Sequence, residues 1–124
     1  MHREIEVALA DGISHFTQQY MGRRPKQIDT HLLGDFLVVR LQGLLAPAEQ
    51  QLANGFGGEK ARDLLKRARA TLVETTRPVL EALVEEATGS KVVSLHHDMS
   101  TATGEEVVLF TLAEAPDGRE TRPK

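Results

Sequence analysis

The stretch Gly34-Asp35-Phe36-Leu37-Val38-Val39-Arg40-Leu41 decides the fold. Just before it, Ile28, Thr30 and Leu32 alternate with polar residues, as in a strand with one apolar face. A Gly-Asp pair between two strand-like runs predicts a tight turn, and therefore a β-hairpin. Because the run after the turn is apolar on both faces except for Arg40, we expect both faces of this second strand to be covered.

An amphipathic helix is predicted before the hairpin, since apolar residues recur there at spacings of three or four and so share one helical stripe. These residues are Ile5, Leu9, Ile13, Phe16 and Tyr20. Gly12 inside the pattern indicates a bend or a close packing contact, and Gly22 indicates the end of the helix.

Two helices are predicted after the hairpin. Pro47 favours a helix start, and this short helix should run to about Ala53. A long amphipathic helix follows over residues 59–88. Pro78 lies in its interior, where proline removes a backbone donor and clashes with the preceding turn, so we expect a kink or a break at residues 75–77.

A second hairpin is predicted at the end of the domain, with strands at residues 91–95 and 105–112 joined by a polar loop at 98–104. Residues 113–124 are expected to form a flexible tail. The order helix, β-hairpin, two helices, β-hairpin predicts a single α+β domain over residues 1–112. Its four-stranded, largely antiparallel sheet should carry the helices on one face.

Composition excludes several classes of protein. The chain has 124 residues, a net charge of -3 and 4% aromatic residues, which disfavours nucleic-acid binding. Cysteine is absent, so disulfides and thiolate metal sites are excluded. No apolar run approaches the roughly 20 residues that span a bilayer. We therefore expect a cytoplasmic protein without direct membrane insertion.

The only cluster with metal-ligand chemistry is His96-His97-Asp98, to which His31 could add a ligand from the first hairpin. Adjacent residues of a strand point to opposite faces, so His96 and His97 share a metal only if the strand has ended. A solvated strand end with two ordinary histidines is the favoured interpretation, and no metal is expected.

A basic loop follows the first helix and contains Arg23, Arg24 and Lys26. With Arg40 from the sheet, these residues are candidates for binding a small anion or an acidic partner, because arginine grips oxyanions in bidentate fashion. The alternative is favourable charge at the C-terminal end of a helix.

No constellation of catalytic residues stands out. The acidic residues occur at helical spacing without an accompanying nucleophile, as on a solvated face; they are Glu49, Glu74, Glu81, Glu85 and Glu86. The glycine-rich segment 55–58 lacks the Gly-Lys-Ser/Thr ending of a phosphate-binding loop. We expect neither enzymatic activity nor a cofactor, with a metal-dependent enzyme at His31, His96, His97 and Asp98 as a disfavoured alternative.

The charges of the long helix oppose its dipole. Its first half is basic, with Lys60, Arg62, Lys66, Arg67 and Arg69, and its second half is acidic, with Glu74, Glu81, Glu85 and Glu86. Two such helices packed antiparallel across a twofold axis would neutralise each other, which predicts a homodimer. Local pairs within one helix are the alternative.

Four landmarks in order resemble the bacterial MpsC-like family over about residues 5–112. They are Tyr20-Met21-Gly22-Arg23-Arg24-Pro25, Gly34-Asp35-Phe36-Leu37-Val38-Val39, Leu44-Leu45-Ala46-Pro47-Ala48-Glu49 and Ala87-Thr88-Gly89-Ser90-Lys91-Val92. Ala46 departs from the hydroxyl residue that the family usually has there, so a side-chain N-cap is lost.

That family is named for a component of a sodium-translocating system that generates membrane potential and is linked to bicarbonate supply. The resemblance implies an accessory or regulatory protein without catalytic residues, associated with a cation or bicarbonate transport system. It also implies a cytoplasmic location, at the inner face of the membrane through a transporter subunit. A small-anion sensor is the alternative.

Overall fold

The computed structural model describes residues 2–55 and 57–116. The first half contains α1 (His2–Met21), β1 (Gln27–Leu33) and β2 (Phe36–Gln42). The second half contains α2 (Pro47–Ala53), α3 (Gly58–Thr75), α4 (Arg77–Thr88), β3 (Val92–Met99) and β4 (Glu106–Leu112). This order confirms the predicted α+β class.

The four strands form one antiparallel sheet in the order β1-β2-β4-β3. Leu33 pairs with Phe36 at the end of the first hairpin, and Gly34 in the turn between them has a φ of 65°, which only glycine adopts freely. The two predicted hairpins are joined through β2 and β4, so these strands form the centre of the sheet and β1 and β3 form its edges.

Within residues 2–55 and 57–116, only one face of the sheet is covered. On β2, Leu37, Val39 and Leu41 are buried on what we call the inner face, whereas Phe36 and Arg40 on the outer face are exposed. The expectation that both faces of this strand are covered was wrong for the single chain. The reason is that the helices pack on the inner face alone and leave the apolar side chains of the outer face without a covering layer.

The main core lies between the sheet, α1 and α4. It buries Leu9, Ile13 and Phe16 of α1 and Leu80 and Val84 of α4 against the inner face. At the crossing of the two helices, a Cβ added to Gly12 would lie 3.0 Å from Cδ2 of Leu83. Gly12 therefore serves a close packing contact, as the sequence indicated.

The predicted long helix is broken into α3 and α4 at Thr76, whose Oγ1 donates a hydrogen bond to the carbonyl of Leu72 at 2.7 Å. Pro78 lies in the first turn of α4. The basic residues thus belong to α3 together with Glu74, whereas Glu81, Glu85 and Glu86 belong to α4, and the two helices have separate dipoles. The homodimer expected from this charge pattern stays a prediction.

The second hairpin is longer than predicted. β3 continues to Met99, which is buried and pairs with Glu106, so residues 98–99 belong to the strand and not to the loop. Beyond β4, the amide of Ala113 donates to the carbonyl of Lys91 at 2.8 Å. The start of the expected tail is therefore bonded to the sheet, and residues 117–124 lie outside the described part of the chain.

Each edge of the sheet is capped by a glutamate from a helix. On the β1 edge, the amide of Leu32 donates to Oε2 of Glu6 at 2.8 Å. On the β3 edge, the amide of Val92 donates to Oε2 of Glu85 at 3.1 Å. Edge strands present unpaired backbone groups, so each carboxylate satisfies one donor that the sheet leaves free.

Candidate functional site

A buried ion pair connects α3 to β4. Arg69 continues the buried stripe of α3 that includes Ala61 and Leu65, and Glu106 occupies the inward phase of β4 ahead of Val108. Arg69 is 5% exposed and Glu106 1% exposed. Nε of Arg69 lies 3.4 Å from Oε2 of Glu106. Both charges therefore stand at positions that the local pattern assigns to the core.

Three further contacts surround this pair. Nε2 of His97 lies 2.9 Å from Oε1 of Glu106. Nη2 of Arg69 lies 3.3 Å from Oε1 of Glu49, and its Nη1 lies 2.9 Å from Sδ of Met21. We call His97, Glu106, Arg69 and Glu49 the ionic cluster. It joins both strands of the second hairpin to α3 and α2.

Glu49 also closes the start of α2. Its Oε1 accepts a hydrogen bond from the amide of Ala46 at 2.8 Å. Ala46 has no side-chain oxygen, so this back-bond from the third helical residue satisfies a donor at the position where the hydroxyl cap is missing. The same carboxylate oxygen therefore fixes the first turn of α2 and meets the guanidinium of Arg69.

The ionic cluster has a structural role. Buried charges lose their hydration, and that loss is offset only when partners are close and hydrogen bonded. Arg69 directs all three guanidinium nitrogens to the cluster or to Met21. Oε2 of Glu106 has the ion pair but no further hydrogen bond within the described residues. The cluster holds four elements together across the inner face.

The structure does not bring the candidate histidines together. His31 and His96 belong to one row on the outer face, which runs across the four strands through Val38 and Leu109. The two histidines are therefore at opposite edges of the sheet. His97 projects to the inner face, as alternation along β3 requires. Its side chain is 7% exposed, so the expectation of a solvated strand end was wrong for His97, because β3 continues to Met99. Among residues 2–55 and 57–116, no three His, Asp or Glu side chains are placed to hold a metal ion.

Asp98 lies beside an open groove of about 380 Å³ between α3 and β3. The amide of Met99 donates to its Oδ1 at 2.8 Å, and Nζ of Lys66 lies 3.2 Å from the same oxygen. The hydrogen bond from Met99, followed by Lys66, lowers the pKa of Asp98 from its ordinary value. Asp63 and Arg67 also line the groove, so its walls carry both signs of charge.

The basic loop remains together after α1. Nη1 of Arg24 donates to Oγ of Ser14 at 3.2 Å, which ties the loop back to the helix. Nε of Arg23 is buried and has no hydrogen-bond partner within the described residues. The stem of Lys26 packs on Gly43, where an added Cβ would lie 2.6 Å from its Cγ. Of these three residues, only Arg23 has a buried donor without a hydrogen-bond partner within the described part of the chain.

Arg40 does not join that loop. It lies on the outer face, where its Nε is 3.6 Å from Oδ2 of Asp29 and 3.4 Å from Oε2 of Glu105. The pairing of β1 with β2 also places Arg40 opposite Asp29, several residues along the strand from Lys26. Two carboxylates already occupy Arg40, which makes it part of a charged rim instead of an anion site.

Next to that rim lies an apolar surface that the helices do not cover. Leu33 is 63% exposed and its strand partner Phe36 is 36% exposed. Further apolar side chains on the outer face are partly exposed. We call the set the outer patch: Leu33, Phe36, Val38, Val107 and Leu109. A sheet face of this kind can bind another protein surface.

Sequence reasoning missed the ionic cluster because it placed Glu49 on a solvated face and His97 at a solvated strand end, and it did not single out Glu106. The signal was present in the spacing. Arg69 lies four residues after Leu65 and four before Val73, and Glu106 lies two before Val108. A charge in phase with buried apolar residues therefore indicates a buried ion pair when a second such charge of opposite sign exists.

Comparisons with known proteins show which family the chain belongs to. No helix within residues 2–55 and 57–116 has the length and apolar character needed to cross a membrane. No solved structure matches the chain. An uncharacterised protein of Bacillus subtilis (strain 168), YbcI, is 34% identical over 108 residues, which cover 87% of this chain and 85% of YbcI. The profile of the family described as "Na+-translocating membrane potential-generating system (MpsC)" matches residues 1–114, and the chain therefore belongs to the MpsC family.

Proposed function

We propose that this protein is a non-enzymatic accessory subunit that binds a membrane protein of a cation-translocating system from the cytoplasmic side. Membership in the MpsC family supports the association, because the family description names a Na+-translocating system that generates membrane potential. The observation that carries the contact role is the outer patch, an apolar surface that the fold leaves uncovered.

The arrangement of the outer patch suits a protein contact. Interfaces commonly combine an apolar centre with a polar rim. Leu33 and Phe36 are paired across the first hairpin, and Arg40 with its two carboxylates borders the apolar residues along the same strand. Burial of exposed apolar area contributes about 25 cal/mol per Å². We therefore expect the outer patch to contribute most of the binding free energy and the charged rim to orient the partner.

Co-purification tests this role. The tagged chain is expressed with the membrane subunits of the cation-translocating system encoded in the same genome, and detergent extracts are purified on the tag. We expect the membrane subunits to be retained by the native chain and by Leu64→Glu, and to be lost with Leu33→Glu. Leu64 on α3 is 62% exposed and Leu33 is 63% exposed, so the two variants introduce equal charge at equally exposed leucines. Equal retention by both variants would refute the outer patch as the contact.

A second candidate, favoured by the buried free donor of Arg23, is binding of a small anion by the basic loop. An anion such as inorganic phosphate would accept from that donor and from Arg24. Phosphate should then raise the melting temperature of the native chain but not that of Arg23→Met. Lys60→Met, at an exposed lysine on α3, is the control for charge. If phosphate stabilises none of these proteins, this candidate is eliminated.

A further inference from the structure

The β1 edge of the sheet is open beside α1. A groove of about 350 Å³ runs along this edge, and Val7 and Ala10 of α1 line it together with Ile28 and Thr30 of β1. Val7 is 54% exposed although it is a large apolar residue. The groove therefore combines an unpaired strand edge with an uncovered apolar position on the adjacent helix.

The backbone of this edge is directed outward at alternate residues. In an antiparallel pair, each residue directs its amide and carbonyl either to the neighbouring strand or away from it, and the direction alternates along the chain. The amide of Leu32 points away from β2, to Glu6. The amides and carbonyls of Ile28 and Thr30 have the same phase. They are therefore available for pairing with one more strand.

A second copy of β1 complements this edge in one register. When Thr30 pairs with its own copy across a twofold axis, Asp29 of one chain stands opposite His31 of the other. Both residues are on the outer face, and the contact occurs twice. An imidazole donates to a carboxylate, and opposite charges paired across strands stabilise a sheet. Shifting the register to centre on Asp29 would instead oppose two carboxylates.

The adjacent helix is self-complementary about the same axis. Oγ1 of Thr30 donates to the carbonyl of Glu6 at 2.7 Å. Thr30 of β1 therefore lies beside the turn of α1 that contains Val7. Arg3 lies one turn before Val7 and Asp11 one turn after it, and both are exposed. An antiparallel pair of α1 helices centred on Val7 therefore places each Arg3 near Asp11 of the other chain.

We propose that two copies of this chain associate through the β1 edge and α1, forming one continuous eight-stranded sheet. The central main-chain bonds join Thr30 to its copy. Glu6 occupies the amide of Leu32 and so limits how far the strands pair. The outer patches of the two chains then lie on one surface. This dimer does not depend on the accessory role, since its test needs the chain alone.

Cysteine cross-linking tests the geometry, because the chain contains no cysteine of its own. Oxidised Val7→Cys should form a covalent dimer at the axis, whereas Leu64→Cys should not. Leu64 is a matched control, an exposed apolar residue on another helix at 62% against 54% for Val7. Sedimentation of the native chain at tens of micromolar should show a dimer. A monomer, or equal cross-linking of both variants, would overturn the proposal.

Charge-reversal variants test the proposed contact between the two α1 helices without introducing cysteine. Arg3→Glu should weaken the dimer about tenfold, because it opposes two carboxylates at each end of the helix pair. Arg3→Glu combined with Asp11→Arg should restore native dimerisation. Lys60→Glu, an exposed reversal on α3, should leave it unchanged. Circular dichroism establishes that each variant is folded. A double variant that remains as weak as the single one would contradict the helix contact.

Discussion

Arg69 and Glu106 form an ion pair, Nε to Oε2 at 3.4 Å, in which 4% and 1% of the side chains are exposed. The two residues are far apart in sequence and belong to α3 and β4, so the pair depends on the completed fold. Removing one partner leaves a buried charge without compensation, whereas removing both leaves an apolar contact. This asymmetry makes the pair a direct probe of the packing of α3 on the sheet.

Arg69→Met should lower the free energy of unfolding by about 3–5 kcal/mol, because the carboxylate of Glu106 remains buried without the guanidinium and keeps only its contact with His97. The double variant Arg69→Met/Glu106→Leu should be clearly more stable than Arg69→Met alone. Urea denaturation followed by circular dichroism measures both. Additive losses in the double variant would mean that the two side chains do not interact.

The two phenylalanines Phe110 and Phe36 distinguish the covered and uncovered faces of the sheet. Phe110 is 0% exposed on the inner face and Phe36 is 36% exposed on the outer face. Phe110→Ala should cost about 3–5 kcal/mol of unfolding free energy, because it leaves a cavity in the core. Phe36→Ala should cost less than about 1 kcal/mol in the isolated chain. Chemical denaturation gives both values, and equal losses would mean that the outer face is covered.

The glutamate caps should protect one amide each. Glu6→Ala should accelerate hydrogen exchange at the amide of Leu32 and leave Val92 unchanged, because the carboxylate of Glu6 accepts only on the β1 edge. Glu85→Ala should do the reverse on the β3 edge. Exchange followed residue by residue in NMR spectra measures both amides. Loss of protection at both edges in either variant would indicate general destabilisation and not a local cap.

Asp98 should contribute to the loss of stability in acid. Its pKa is held below the ordinary 3.8, first by the amide of Met99 and then by Lys66. The unfolded chain therefore binds this proton more readily, so the contribution of Asp98 is present above pH 3.8 and disappears as the pH falls through the folded pKa. Asp98→Asn should melt below the native chain near neutral pH, with a difference that shrinks in acid. A difference independent of pH would contradict this assignment.

Local patterns predicted most of the fold. The stripe from Ile5 to Tyr20 predicted α1, the Gly34-Asp35 turn predicted the first hairpin, and Pro78 predicted the interruption at Thr76. Each of these signals acts within one or two turns of chain. The order of strands could not be obtained in this way, because the contact of β2 with β4 joins residues that are distant in sequence.

The features that sequence reasoning missed depend on tertiary partners. β3 extends past His96 because Met99 pairs with Glu106 and is buried, which no local preference of a His-His-Asp run indicates. Lys66 and Arg69 of α3 have partners in β3, β4 and α2, which lie far from them in the sequence. The family could be predicted from the sequence, because its short motifs and their order can be recognised without knowing which residues are in contact.

Photo-cross-linking from the outer patch tests the proposed accessory role most directly. A photoreactive phenylalanine analogue is placed at position 36 in cells that express the membrane subunits, with the same analogue at position 64 as the control. The outer patch as a partner surface predicts an adduct with a membrane subunit from position 36 and none from position 64. Adducts that are absent from position 36, or equally abundant from both positions, would contradict it.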